Sequence, residues 1–489
     1  MIDPRPSNMI TFPKWVSTGG FLVFFVAFGA CTLAYIDYPM VLRYAIISIL
    51  SVCLFFLLGS TCSGKWAWRS EKMFIRNVFL VGLLIRLIWV VYMYFFNIEY
   101  YGQTYGDGAD TEWYMPFGQA IATAILDGDM EALSHMAETW GAAFDDTGYS
   151  IWLGIEYIFV GSFSDVFVPF IIKSIIGAYC AISIYHVAQR HYGEAVGRLA
   201  AIFVMLNPQL IYWCGSMMKE PEMVFLLCLF IDKMDQALNV QKITVASVLP
   251  ASLIGMSLFL FRSALGMVAF AAVFANIVMA SSRVMGWGKK VLAGILVLLV
   301  VGVGMGDRLM SQAERIQHSI ESNEQKGNME WRSKRKDADG RQNTLITQYA
   351  TAAVFAPLIF TIPFPTFNQA VSSQIYQQMQ SGGNYIKNIL SFFVILSMFI
   401  MLLSGEWRRH VFIVAFTCGY LVALVMSNFA HAGRFHLPVM PMLMLFAAYG
   451  ISLSHKNATY KRWYIYALVA EVVACLGWNW FKLAGRGMI

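Results

Sequence analysis

The chain has 489 residues, of which 58% are hydrophobic, 15% aromatic and 13% charged, with a formal net charge of +6. Soluble domains carry about 25% charged residues, so this composition excludes a soluble enzyme, a disordered scaffold and a disulfide-rich secreted module. It leaves an all-α polytopic membrane protein, with lipid as its main solvent.

A spanning helix needs about 20 mostly apolar residues. In chain order, thirteen windows qualify: 20–37, 40–59, 74–97, 166–187, 195–213, 220–238, 244–260, 264–281, 289–306, 386–404, 411–427, 434–452 and 463–481. Some are short or abut, so the expected number is 11–13. The first two follow each other closely and read as a helical hairpin rather than a cleavable signal. Lys and Arg in short loops set the orientation. Lys65, Arg69, Lys72 and Arg76 follow the second window, and further basic loops recur on that side at Arg190 and Arg198, Arg283 to Lys290, Arg408 and Arg409, and Lys456 to Arg462. That side is therefore read as cytoplasmic. The short loops opposite carry single cations: Lys219, Arg262 and Arg434. Lys482 and Arg486 run against the bias. Four regions follow: an N-terminal hairpin with a basic cytoplasmic loop (1–73), a membrane core with a large extracytoplasmic loop at 98–165 (74–306), a second extracytoplasmic region (307–385) and a C-terminal helical block (386–489). Within the second region, residues 353–367 are apolar but hold Pro357, Pro363 and Pro365, which fits an interfacial or re-entrant segment better than a span. The eight cysteines show no CxxC or zinc-like spacing and read as small buried hydrophobes.

Charge is not evenly diluted. Residues 98–149 contain ten acids and no Lys or Arg. Asp127, Asp129, Glu131 and Glu138 lie in a hydrophilic stretch and read as solvating acids. The front of the loop, YYGQTYGDGADTEWYMPFGQAIATAI, is different. Glycines flank Asp107, and Tyr105, Trp113 and Tyr114 surround the acids. Trp113, Phe117, Ile121 and Ile125 then recur at helical spacing, which predicts a helix lying on the membrane surface. An Asp beside aromatics at such a turn suits a general base or a metal ligand, and equally a helix cap. Arg86 and Lys173 fall inside apolar windows. Both are costly in lipid and are expected to pair inside the bundle, with each other or with Glu156 or Glu194.

This arrangement resembles the GT-C superfamily of membrane glycosyltransferases, specifically the family 39-type protein mannosyltransferases and the bacterial aminoarabinose-transferase-like enzymes. DTEWY is similar to their acid followed four residues later by Tyr, which falls on Asp110 and Tyr114. Thr111 stands where those families carry a second acid, so Asp107 is the other candidate. The run from DDTGYS through LNP to MMKEP, and AGRFHLPVMPMLMLFAAYG near the end, resemble further family stretches. The resemblance covers about residues 74–452.

It implies an enzyme that transfers a hexosyl or pentosyl group from a polyprenyl-phosphate-linked donor to a glycan, lipid or protein acceptor, with inversion. Asp110 or Asp107 would take the acceptor proton. Lys219, Arg262, His431 and Arg434 would meet the phosphate, with Glu112, Tyr114 and Glu220 completing the substrate site. A divalent cation held by the two Asp residues and Glu112 stays open. The implied setting is the bacterial inner membrane, with the site facing outward. A polysaccharide polymerase or O-antigen ligase-like enzyme is a second expectation, and a secondary transporter or flippase a third. Neither a Walker-type nor a dinucleotide-binding glycine motif occurs, and nothing points to nucleic acid.

Overall fold

The computed structural model describes residues 11–106, 109–140, 147–161, 166–239, 245–279, 361–368, 375–426, 433–455 and 457–484. The described chain is all α-helical. Its helices are α1 (Lys14–Ala34), α2 (Leu42–Trp66, with a π-helical turn at Leu54–Leu58), α3 (Glu71–Tyr101), α4 (Ala109–Asp127), α5 (Met130–Trp140), α6 (Thr147–Val160), α7 (Phe167–Tyr192), α8 (Glu194–Leu206), the short α9 (Pro208–Tyr212) and α10 (Glu220–Leu238). They continue as α11 (Val245–Phe261), α12 (Ser263–Met279), the short α13 (Ile375–Met379), α14 (Ser381–Ser404), α15 (Val411–Met426), α16 (Met440–Ser454) and α17 (Ala458–Ala484).

The chain is a multi-pass membrane protein. Six described helices are by themselves long and apolar enough to cross a bilayer: α1, α2, α3, α7, α14 and α17. The bent pair formed by α8 and Pro208–Gly215 makes a seventh if it is one span. The expected 11–13 also counts the shorter apolar helices α11, α12, α15 and α16. It further counts α10, whose Glu220, Glu222, Asp232, Lys233 and Asp235 make it too charged to qualify on composition. The window at 289–306 and, of the second extracytoplasmic region, residues 307–360, with the front of the proline-bearing segment, lie outside the described residues. Residues 361–368 are irregular rather than helical. Their polar groups are held by neighbours: Phe367 N–H donates to Asn479 Oδ1 at 2.8 Å, and Ser381 Oγ donates to Thr366 O at 2.8 Å.

The bend between α8 and α9 is written locally. Asn207 cannot continue α8 before Pro208, and its side chain instead caps α9, accepting from Gln209 N at 2.9 Å and Leu210 N at 3.2 Å. The centre of the bundle is α16, buried on nearly every face, as expected of a helix that is apolar all round. It packs against α14, α8 and α7. α1 lies mainly along α17 and meets α2 at its π turn. α7 and α10 run side by side in the same direction: Lys173 meets Glu222 near their beginnings, and Arg190 meets Asp232 and Asp235 near their ends.

α4 and α6 pack against each other, and α6 also meets α11. Gly118 and Gly154 allow the contact, because a methyl group on either would sit within 3 Å of Leu153 or Ile121. A helix forms where the spacing of Trp113, Phe117, Ile121 and Ile125 predicts one. Tyr114, Met115, Ile121 and Ala122 are buried. Trp113 and Ile125 are exposed, and Trp113 stacks on Phe117. The Gly118–Gly154 approach turns the small-residue side toward α6; Trp113 is exposed on the side away from Gly118, and Ile125 and Leu126 are exposed near the end of the helix.

Candidate functional site

The site is built around a short turn. Gly433–His436 forms one 3₁₀ turn that leads straight into central α16, with Leu437 N–H bonding to Arg434 O and Met440 N–H to Leu437 O, both at 3.2 Å. Arg434 is thus held by the most buried helix of the protein. Its Nη2 lies 2.7 Å from Asp110 Oδ2, and its Nε lies 3.7 Å from Glu220 Oε1. Asp110 sits in the first turn of α4 and is 39% exposed, whereas the Glu220 side chain at the start of α10 is 2% exposed. Three residues far apart in the chain therefore share one ionic contact. Acids in the first turns of α4 and α10 also suit the positive ends of those helices.

Around this trio the other predicted residues fall as follows. Arg262, between α11 and α12, lies over the Phe435 ring with its guanidinium carbon 4.4 Å from the centroid, and its Nη1 donates to Tyr420 Oη at 3.4 Å. The guanidinium of Arg434 also faces Phe435, at 5.2 Å, so one ring carries two cations. Tyr420 Oη in turn donates to Phe435 O at 3.0 Å. Lys219, in the bend before α10, donates to Phe261 O at 2.9 Å. Burial, with Arg262 beside it, pushes the Lys219 ammonium down to about 7. Tyr114 is one turn beyond Asp110 and is buried; burial raises its phenol above the usual range, and the carboxylates of Glu220 and Asp110 add to this. Glu112 is exposed and lies on the opposite side of α4 from Asp110, so the site does not include it. Asp107 and His431 lie outside the described residues.

Among the described residues no group of three His, Cys, Asp or Glu side chains is placed to hold a metal ion. Of the two buried cations, Lys173 forms its ion pair with Glu222, at 3.6 Å, an acid outside the expected set, while the expected Glu156 lies within electrostatic reach. Glu222 sits two residues after Glu220 on α10, and both point into the bundle. Among the described residues Arg86 meets no carboxylate: its Nη1 donates to Gly82 O at 3.0 Å and Met205 O at 3.1 Å, while Nε and Nη2 have no hydrogen-bond partner there. The stray cation Lys482 is bonded to Gln377 Oε1 and lies over Trp478.

Several site residues escaped the sequence reading. Phe435 and Tyr420 orient the arginines. Tyr376 on α13 is within electrostatic reach of Glu220 and Arg434 and packs against Trp213, with ring centroids 5.2 Å apart. Nothing in their local sequence separates them from ordinary bundle aromatics. The EPE tripeptide at 220–222 was the legible signal for Glu222.

Chemically, the trio has spare capacity. Glu220 Oε2 is buried without a hydrogen-bond partner among the described residues, and Glu220 borders an apolar crevice with Trp213, Pro221, Val224 and Leu437. Asp110 is half open. One guanidinium faces two carboxylates, with two further cations nearby. Such an assembly can bind an anion at its cationic side and accept a proton at Asp110. Comparison with known proteins finds no matching family model and no similar curated sequence.

Proposed function

We propose that the chain is a membrane glycosyltransferase of GT-C type, moving a sugar from a polyprenyl phosphate to an acceptor hydroxyl at the membrane boundary. The observation that carries the reading is the Arg434–Asp110 contact of 2.7 Å, with Glu220 as the second carboxylate. An arginine between two acids is the arrangement a phosphate can compete for, because guanidinium binds phosphate bidentately. The donor phosphate takes one edge of Arg434, with Arg262 and Lys219 as flanking cations. Asp110 is released from Arg434 and becomes the general base.

The step balances without a co-reactant. The acceptor O–H proton passes to Asp110. The acceptor oxygen forms a bond to the anomeric carbon, and the bond from that carbon to the phosphate oxygen breaks. The leaving polyprenyl phosphate keeps the electron pair, which the arginines neutralise. Attack opposite the leaving group inverts the anomeric carbon. The bacterial inner membrane, the outward-facing site and the envelope acceptor belong to this proposal.

The test is turnover of a labelled polyprenyl-phosphate hexose or pentose by purified protein. Asp110→Asn abolishes transfer while the protein stays monodisperse; full activity in that variant rejects the mechanism. A second reading, a transporter or flippase, draws on the Lys173–Glu222 ion pair, since ionisable groups inside a bundle often mark a transport path. Substrate flux into proteoliposomes without a change of glycosidic bond selects it.

A further inference from the structure

Lys173 lies in the second turn of α7, with a side chain 0% exposed. A lone ammonium is among the most expensive groups to bury, and protein groups surround this one. Its Nζ donates to Ser216 O at 2.8 Å and Met218 O at 2.5 Å, lies 3.6 Å from Glu222 Oε1, and faces the Tyr149 ring at 4.5 Å. An ammonium has three N–H groups. Two go to the backbone of the bend at residues 216–219, and the third is turned toward Glu222 and Tyr149.

That bend is the junction of the candidate site. Lys219 O accepts from Met223 N–H at 3.0 Å, the first bond of α10, but among the described residues no backbone N–H reaches the carbonyls of Ser216 and Met218, which Lys173 takes instead. The bend's last two residues and Glu220, which follows, each reach a different part of the site. Met218 Sδ accepts from Thr111 Oγ1 at 3.6 Å, and Thr111 is the neighbour of Asp110. Lys219 holds Phe261 O, beside Arg262. Glu220 meets Arg434. Tyr149, under Lys173, packs edge-on against Tyr114 with centroids 5.0 Å apart, one turn from Asp110.

We propose that Lys173 is a positioning residue: it pins the 216–219 bend and thereby sets the register between Asp110, Glu220 and Arg434. The inference rests on the glycosyltransferase reading for its effect on turnover, but not for its effect on the bend. It assigns the intramembrane cation to organising the site rather than to carrying a substrate.

The test uses the full chain in detergent or nanodiscs. Removing Lys173 alone strands Glu222 and threatens the fold, so the variant is Lys173→Met together with Glu222→Gln, which removes both buried charges at once. Two readouts are taken. Hydrogen exchange of the segment 214–222 rises about tenfold relative to wild type, while exchange in α16 is unchanged. The kcat for a labelled polyprenyl-phosphate hexose falls about 100-fold, as misplacement by about 1 Å would produce, while the Kd of a short-chain polyprenyl phosphate moves less than about threefold. Lys173→Arg, which keeps the charge but not the compact donor geometry, falls between. Unchanged exchange in 214–222 overturns the pinning. Raised exchange with undiminished kcat overturns the positioning role. Raised exchange in a protein whose wild type transfers no sugar leaves the pin standing and rejects the glycosyltransferase reading instead.

Discussion

Two ionic clusters occupy the two ends of one helix pair. Near the beginnings of α7 and α10 stand Lys173, Glu222 and Glu220, with Arg434 and Asp110 beside them. Near the ends, Arg190 Nε bonds Asp235 Oδ2 and Arg190 Nη2 bonds Asp232 Oδ1, each at 2.7 Å, and His191 Nε2 meets the other Asp235 oxygen at 2.6 Å. His191 Nδ1 lies 2.7 Å from His410 Nδ1. Lys173 and Arg190 are separated by about 25 Å at 1.5 Å per residue. The distal cluster is saturated: both Asp235 oxygens are bonded, and burial together with His191 pushes the His410 imidazole down to about 4, which keeps it neutral. The proximal cluster leaves Glu220 Oε2 and both Glu222 oxygens without hydrogen-bond donors among the described residues, and leaves Asp110 partly open. Equal chemistry at two ends therefore serves two purposes. A saturated network fastens helices, whereas an unsaturated one keeps capacity for a ligand.

The comparison breaks most visibly at Asp110. Asp110→Asn lowers transfer by about 10³-fold or more, within the range of general-base removal, with melting unchanged. Retained transfer would erase the distinction between the ends. The matching distal change, Asp235→Asn, costs about 3 kcal/mol of stability, as expected when one partner of a buried pair is removed. Thermal unfolding checks this, and turnover per folded molecule stays at the wild-type level; a selective loss of turnover would contradict it.

A smaller effect sharpens the proximal side. A lysine is charged below its pKa, so Lys219, held near 7, supplies its positive charge below neutrality and loses it as pH rises. Transfer declines by up to about tenfold per pH unit above 7, and Lys219→Arg flattens that limb. A profile in Lys219→Arg that matches wild type would remove Lys219 from anion binding. The smallest effect belongs to Glu112→Gln, which leaves transfer within about twofold of wild type, since Glu112 is exposed on the far side of α4; a drop comparable to that of Asp110→Asn would show that the acids act together.

Much of this was legible in the sequence, unevenly. Apolar windows located the long helices because lipid tolerates only internally bonded backbone. Composition alone does not separate the six long spans from the shorter apolar helices α11, α12, α15 and α16, since burial in protein and burial in lipid have the same composition. Asp110, Glu220, Arg262 and Arg434 stood out because charge is scarce. Their convergence did not, since contacts between residues 110, 220 and 434 are set by tertiary packing that no local pattern encodes. The packing of α4 on α6 was not legible, because two glycines on different helices decide it. Lys173 was expected to pair, and does, in contact with Glu222 and within electrostatic reach of the expected Glu156. Lys387, buried on α14 and bonded to Ile362 O, escaped notice among its apolar neighbours.

The central claim is that Arg434 is shared between Asp110 and a lipid-linked phosphate. Titrating a short-chain polyprenyl phosphate, without sugar, onto wild type, Arg434→Ala and Asp110→Asn tests it directly. The account predicts that Arg434→Ala weakens binding at least about tenfold, the loss of a charge-assisted contact, and that Asp110→Asn tightens it by freeing the guanidinium. Binding that is indifferent to Arg434, or that Asp110→Asn weakens as much as Arg434→Ala does, would contradict it.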